Sequence, residues 1–394
     1  MQKVGNQAYA KQRNKKLIVD ILRKEGPLSR ADIKKFINLS SPSISTNVER
    51  LLNDNILVTF GRASSMGGRK TTFYNVNYNY GYIIGIDLSL DYIYIGISDL
   101  NGKILINKRI EVISKKYKTN FENLINNIYS LLDENGISSE KILYICISSP
   151  GVLKENGELK YVDSKDWFYE STLFNDLENL FDKKVFVEND VNLAVFAEFK
   201  RGVGKSFSYL SYIKIDKGLG AGIIFDGQIL KGKNGEVGEV GFSLLRNKSG
   251  NIISLEEELN LERIYNEIRE EIKSGQNTII KELVNGHLEN IDIDIIAKAI
   301  TLNDEYTKNK VKYFAEELGI FISNIMSILS LESIIIGGSI KKLGKYFLDE
   351  VRKFVSENLP FEVTLLYSNF DDETGLIGAF EMGIDYFFYN LFKE

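Results

Sequence analysis

Cysteine and histidine are almost missing from this chain of 394 residues: Cys146 and His287 are its only examples. One cysteine rules out an internal disulfide framework, and one of each leaves no thiolate–imidazole set of the kind that holds structural zinc. No apolar run approaches the ~20 residues that a membrane-spanning helix requires. The opening stretch, MQKVGNQAYAKQRNKK, lacks the apolar segment of a secretory signal. The expected compartment is therefore the cytoplasm, with no metal, no cofactor and no membrane partner. His287, in VNGHLENID, reads as an exposed loop residue, and Cys146, in YICIS, as a buried strand filler.

Charge is present but uneven. The chain carries a net charge of −5, yet residues 1–70 hold 14 Lys/Arg against 5 Asp/Glu. The acidic excess lies wholly in the remainder. A small basic module on an acidic body suits a nucleic-acid-binding head, although charge alone also fits a merely solvated basic surface.

Periodicity gives that head a form. Helical spacing begins near Asn14, with Leu17, Ile18, Ile21 and Leu22 on one face, and Gly26-Pro27 ends the helix. Ser29 and Asp32 form a capping-box-like start for a second helix striped by Ile33, Phe36 and Ile37. Ser41 or its neighbour caps a third helix that has Pro42 at its first position and buries Ile44, Val48, Leu51 and Leu52. Its outer face presents Ser43, Ser45, Thr46, Asn47 and Arg50. Short hydroxyl and amide side chains at a helix start allow close approach to bases and phosphates. Strands at 56–60 and 71–77 flank GRASSMGGRK, a hairpin with Arg62, Arg69 and Lys70 at its tip or base. This is a winged helix-turn-helix pattern; a three-helix protein-contact module is the alternative.

From Tyr82 onward, short β-branched strands alternate with amphipathic helices: YIIGIDLS, YIYIGISDL, LYICISSPG, VFVEND, YLSYIKID, GAGIIFDG and SIIIGGS. Two such halves, near 81–195 and 196–375, predict an α/β body of two lobes around a cleft, a duplicated ribonuclease H-like, actin/hexokinase-like architecture. The domain division expected is 1–76 for the head, 77–195 with a C-terminal helix at 380–394 for lobe 1, and 196–379 for lobe 2.

Six segments in order resemble the ROK family of repressors, open reading frames and kinases: GIDLSLDYIYIGISDLNGKIL, SSPGVL, VEND with VNLAVFAE, KGLGAGIIFDGQILKG, NGEVGEVGF, and IIIGGS with TGLIGAFEMG. SRADI, LSSPSIS and GGRK in the head are similar to that family's repressors, and GNQ…NKKLIV to its xylose-repressor branch. The resemblance implies a homodimer reading double-stranded operator DNA through Ser41, Ser43, Ser45, Thr46, Asn47, Arg50, Arg69 and Lys70. It implies a sugar effector, xylose first, held by Asn189, Asp190, Glu239 and Glu256, with Pro150 and Gly151 shaping the facing loop. Trp167 is either a stacking face for the sugar or a core aromatic. Asn189-Asp190 also reads as a helix N-cap, which for Asp190 is compatible with sugar binding.

The departures from the family's kinases matter as much. The kinase word Asp-x-Gly-Gly-Thr is here Asp87-Leu88-Ser89-Leu90-Asp91, and Gly-Thr-Gly is Asp216-Lys217-Gly218. Both changes put bulk and negative charge where backbone amides cradle phosphate. The zinc histidine is replaced by Phe242 and the cysteine cluster is missing, so packing or a salt bridge must hold the helix of Glu256. A non-enzymatic repressor is expected; the alternatives are an active sugar kinase with a vestigial head, and a regulator that senses a phosphosugar or a protein.

Overall fold

The computed structural model describes residues 4–63, 71–88, 92–153, 159–161, 167–168, 172–247 and 249–393. Helix α1 (Val4–Glu25) begins well before Asn14. Its buried stripe is Ile18, Val19 and Leu22, while Leu17 is 37% exposed. The stripe is thus centred one residue later than the spacing suggested, because Val19 takes the place given to Leu17. Gly26, at φ +85°, ends the helix in a conformation costly to side-chain-bearing residues. Strand β1 (Leu28–Ser29) leads into α2 (Arg30–Phe36), whose capping box joins Ser29 and Asp32 reciprocally. The helix stops at Phe36, which is 51% exposed rather than part of an apolar stripe.

Helix α3 (Ser41–Asn53) is capped by Ser40, the neighbour of Ser41, and Pro42 falls at its second position. Strands β2 (Leu57–Ala63) and β3 (Thr71–Val76) pair antiparallel, and β1 adds to β3. Ile18, Leu22, Ile33, Ile44, Val48, Leu51 and Leu57 form the core beneath this three-stranded sheet. Leu52 is only partly buried against it.

The body opens with three antiparallel strands, β4 (Tyr82–Leu88), β5 (Tyr92–Asp99) and β6 (Ile104–Glu111). Helix α4 (Tyr117–Glu134) returns the chain to β7 (Ile142–Ser149), parallel to β4. A small hairpin, β8 (Val152–Leu153) with β9 (Leu159–Tyr161), and helix α5 (Leu173–Phe181) precede β10 (Lys184–Asn189), parallel to β7. Helix α6 (Asp190–Arg201) then leaves this first sheet.

The second sheet repeats the plan. Strands β11 (Leu210–Ile215), β12 (Leu219–Phe225) and β13 (Gln228–Ile229) are antiparallel neighbours. A hairpin of β14 (Leu244–Arg246) and β15 (Ile252–Ser254) follows. Helices α7 (Leu255–Glu258), α8 (Leu261–Lys273), α9 (Ile280–Leu283), α10 (Ile293–Thr301) and α11 (Glu305–Leu329) come next. Strand β16 (Ser333–Gly337) runs parallel to β11; α12 (Gly344–Asn358), β17 (Thr364–Tyr367) and α13 (Thr374–Asn390) complete the chain. The two sheets read β10-β7-β4-β5-β6 and β13-β12-β11-β16-β17, the same order relative to each first strand. That identity is the duplicated α/β architecture. The central strands are continuous apolar runs because both faces are covered: Ile83, Ile84 and Ile86 in one sheet, Ile334, Ile335 and Ile336 in the other.

Helices α6 and α13 lie between the sheets and exchange them. Helix α13, which follows the last strand of the second sheet, packs on the first. A Cβ at Gly85 of β4 would stand 2.6 Å from the Phe380 ring, and one at Gly96 of β5 would stand 3.1 Å from it. These glycines make the groove in which Phe380 sits, 1% exposed. Helix α6, which follows the first sheet, packs on the second, with Val195 filling the space over Gly222. The two helices touch at backbone range: a Cβ at Gly378 would overlap the carbonyl oxygen of Leu193. Among the described residues no helix is long and apolar enough to cross a membrane.

The seated ring gives a stability prediction. Phe380→Ala should cost about 3–5 kcal/mol, seen as a lower midpoint in thermal unfolding followed by circular dichroism. A variant that melts with the wild type would show that the ring is not held in this groove.

Candidate functional site

Strands β7 and β10 are parallel and in register, so Ser149 and Asn189 end side by side. Asn189 is the N-cap of α6: its Oδ1 accepts from the backbone N–H of Val191 at 2.9 Å and of Asn192 at 3.1 Å. Its amide nitrogen donates to the Gly151 carbonyl at 3.0 Å, with Gly151 at φ +91°. The capping duty therefore falls on Asn189 and not on Asp190. Asp190, in the first turn, turns its carboxylate to Lys214 of β11, Oδ2 to Nζ 2.8 Å. That ion pair bridges the two sheets across the cleft.

Lys214 was not singled out by the sequence, where it reads as one polar position in the apolar strand YLSYIKID. The ammonium is held well above the usual lysine range by Asp190 first, against desolvation, with Asp216 and Asp87 adding to it. Its side chain stays 38% exposed, open toward the cleft. Asp87, on β4 opposite Ser148, is pushed up to about 7 by burial, with Asp190 and Asp372 adding. Glu239 is partly buried, and its carboxyl is raised by that burial and by the carboxylates of Asp190 and Glu256. Asp190, Glu239 and Glu256 thus share one electrostatic neighbourhood, and Lys214 is the cation within it.

Glu256 is less free than the sequence suggests. Its Oε2 accepts the Leu219 N–H at 2.9 Å, tying α7 to the start of β12. Gly238, at φ +98°, lets its loop lie on β12 rather than on a ligand: Ala221 donates to its carbonyl at 2.8 Å, and a Cβ there would overlap the Ala221 oxygen. Trp167 is a core aromatic, 4% exposed and stacked on Tyr117 at 6.2 Å, so it offers no face to the cleft. His287 is exposed and Cys146 is buried.

At the Asp216-Lys217-Gly218 segment, the aspartate is engaged within the chain. Asp216 accepts the backbone N–H of Ser339 at 2.6 Å, just after Gly338 at φ +85°. The amide that follows the double glycine is thus satisfied by the chain's own carboxylate. Of the first loop, Ser89, Leu90 and Asp91 lie outside the described residues.

Zinc does not fit the hairpin region, where Phe242 stands 79% exposed in the position of the family histidine. The helix of Glu256 is held by other means. Ser254 and Glu257 form a capping box, and Glu258, 2% exposed, accepts from Arg263 at 2.8 Å and from Tyr313 at 2.8 Å. A salt bridge and a phenol thus anchor this short helix.

On the head, Ser41, Thr46 and Arg50 are exposed on α3, and Ser43 and Ser45 are partly buried. Asn47 is corrected: it is 4% exposed and faces inward, its amide donating to the Ser43 carbonyl at 2.8 Å. The helical turn that carries Val48 into the core carries Asn47 with it. Lys34 of α2 donates to Ser41 Oγ at 3.1 Å, adding an unforeseen cation beside this face. Arg69 and Lys70 lie outside the described residues.

The duplicated α/β fold is shared with solved ROK regulators and kinases. Residues 83–385 match the ROK family, and the chain belongs to it. It is 27% identical over 399 residues to the xylose repressor of Caldicellulosiruptor bescii, covering 97% of this chain and 98% of that one. It is 25% identical to the xylose repressor of Bacillus subtilis, over 98% of each. A solved ROK family transcriptional regulator, a homolog of the Escherichia coli MLC protein, is similar with a TM-score of 0.79 at 22% identity, over 97% of this chain and 98% of that one. A ROK family glucokinase from Streptomyces griseus, solved with glucose and AMPPNP, gives 0.65 at 19% identity and covers 77% of this chain and 99% of its own.

Asp87 sets a pH dependence. Its folded value lies above the unfolded one, so its contribution is fully present below about 3.8 and is lost as pH rises through about 7. Asp87→Asn should melt higher than the wild type above about pH 7.5 and together with it near pH 4. Equal melting at both values would remove the buried-carboxyl assignment.

Proposed function

We propose that the protein is a sugar-responsive DNA-binding repressor of carbohydrate genes, acting in the cytoplasm as a homodimer and performing no phosphoryl transfer. The division is a winged helix-turn-helix head at 1–76, lobe 1 at 77–195 with 380–394, and lobe 2 at 196–379. Three helices, a three-stranded sheet and the exposed Ser41, Thr46 and Arg50 face of a capped helix support the head's role. Lys34 extends that face. The match to xylose repressors along 97% or more of both chains supports xylose as effector.

The observation that carries the non-kinase reading is the Asp190–Lys214 pair. A sugar kinase needs this aspartate as a base for the attacking hydroxyl, and phosphoryl transfer needs cations and amides arrayed on the phosphates. Here the base is joined to an internal ammonium, and the Ser339 amide is taken by Asp216. Among the described residues, Asp87, Asp190 and Asp216 lie near Lys214, and Glu239 lies near Asp190. That balance opposes a nucleotide or a phosphosugar and suits a neutral polyol, whose hydroxyls donate to carboxylates and accept from Lys214. Binding that narrows the cleft lowers operator affinity by as much as it prefers the narrowed arrangement.

The reading is tested by separating the two ligands. A thermal-shift screen with D-xylose, D-glucose and N-acetyl-D-glucosamine should raise the midpoint with one of them, xylose first. Asp190→Ala should abolish that shift and leave affinity for a selected operator duplex within a few-fold of wild type. Arg50→Ala should weaken operator binding by about 5- to 150-fold (about 1–3 kcal/mol) and leave the sugar shift intact. Steady ATP turnover with any of these sugars would overturn the non-enzymatic reading.

A further inference from the structure

Helix α6 carries the proposed effector residues at one end and, at the other, contacts α13 and the turn after β5, both of which meet the head. Asn189 and Asp190 stand at its start; Lys200 and Arg201 form its last turn, about 18 Å away at 1.5 Å per residue. Lys200 Nζ lies 2.6 Å from Asp385 Oδ2 on α13. The other oxygen of the same carboxylate, Oδ1, faces Arg23 of head helix α1 at 3.9 Å. The Arg23 guanidinium also rests 3.8 Å above the centre of the Phe388 ring, one turn further along α13. Asp385 therefore joins the helix that begins in the cleft to the first helix of the head.

A second strand of contacts leaves the same turn. Arg201 pairs with Glu381 of α13, a carboxylate only 5% exposed, and donates to the carbonyl of Asn101 in the β5–β6 turn. The neighbouring Leu100 N–H donates to the carbonyl of Tyr78 at 3.0 Å, in the segment between the head's last strand and the body's first. Gly102, at φ +71°, is where a Cβ would collide with the Arg201 guanidinium, so the turn is shaped to receive it. A cavity of about 390 Å³ lies beside these contacts, lined by Arg23 and Lys24 of the head and by Tyr78, Asn101 and Arg201 of the body.

Between the ends, α6 has no slack. Gly378 brings α13 against the backbone of Leu193, so a displacement of α6 takes α13 with it. We infer that Asp385 is the positioning residue that transmits effector binding to the DNA-binding head, through Lys200 at the end of α6 and Arg23 on α1. The inference rests on the sugar-responsive reading above. All three groups are partly exposed, with side-chain exposures of 37, 28 and 30% in that order, so the contact adds little to stability and its loss leaves the fold intact. What it fixes is the angle of α1 relative to α13.

The test measures coupling rather than either affinity. The full-length protein, a duplex selected by the wild type from a random pool, and D-xylose, D-glucose and N-acetyl-D-glucosamine as probes give the ratio of operator dissociation constants with and without sugar. In the wild type that ratio is expected within about 5–150-fold. Asp385→Asn should bring it to within about threefold of unity, with the sugar dissociation constant unchanged within about twofold. Arg23→Met should do the same from the head side, and should add nothing in the Asp385→Asn background, as expected of two residues acting through one contact. Should Asp385→Asn fail to fold, Arg23→Met alone decides. A wild-type ratio retained in either single variant overturns the assignment while the sugar-responsive reading stands. A wild-type protein whose operator affinity none of the three sugars changes removes both.

Discussion

The close crossing of α6 and α13 is the constraint from which the body follows. Each helix leaves one sheet and packs on the other, and they meet where Gly378 admits the Leu193 carbonyl. With any larger residue at 378 the sheets would stand further apart and the cleft would lose its floor. Phe380 in the Gly85–Gly96 groove and Val195 over Gly222 fix the helices on their sheets by shape.

On that floor the chemistry is one of compensation. Asp190, Asp87, Asp216 and Glu239 bring carboxylates into a region already shielded from water, and Lys214 offsets part of the charge. The same economy recurs away from the cleft: Arg263 and Tyr313 satisfy the buried Glu258.

Much of this was legible in the sequence. The long apolar strands and the order of glycine-rich words gave the two-lobed α/β body, and Ser29 with Asp32 marked a helix start that the structure places at Arg30. The edge strands β6, β13 and β17 were harder to read: half-exposed segments such as ILINKRIE mix charge with apolar residues, and two- to four-residue strands carry no period. Asn47 was misread because neighbouring helical residues lie 100° apart, and the polar residue beside Val48 turned inward with it. Lys214 escaped because its role comes from tertiary structure, which brings β11 beside the start of α6 and sets its ammonium 2.8 Å from Asp190. Trp167 was left open between two roles, and only tertiary packing on Tyr117 decides for the core.

The bond from Asp216 to the Ser339 amide has a bearing on how such a protein works inside a cell. Adenine nucleotides are abundant there and fluctuate with metabolic state. A cleft that kept an empty oxyanion cradle would be filled by them, and its answer to carbohydrate would drift with the energy supply. On the proposed reading, an aspartate already seated on the Ser339 amide would leave the response to carbohydrate independent of nucleotide supply.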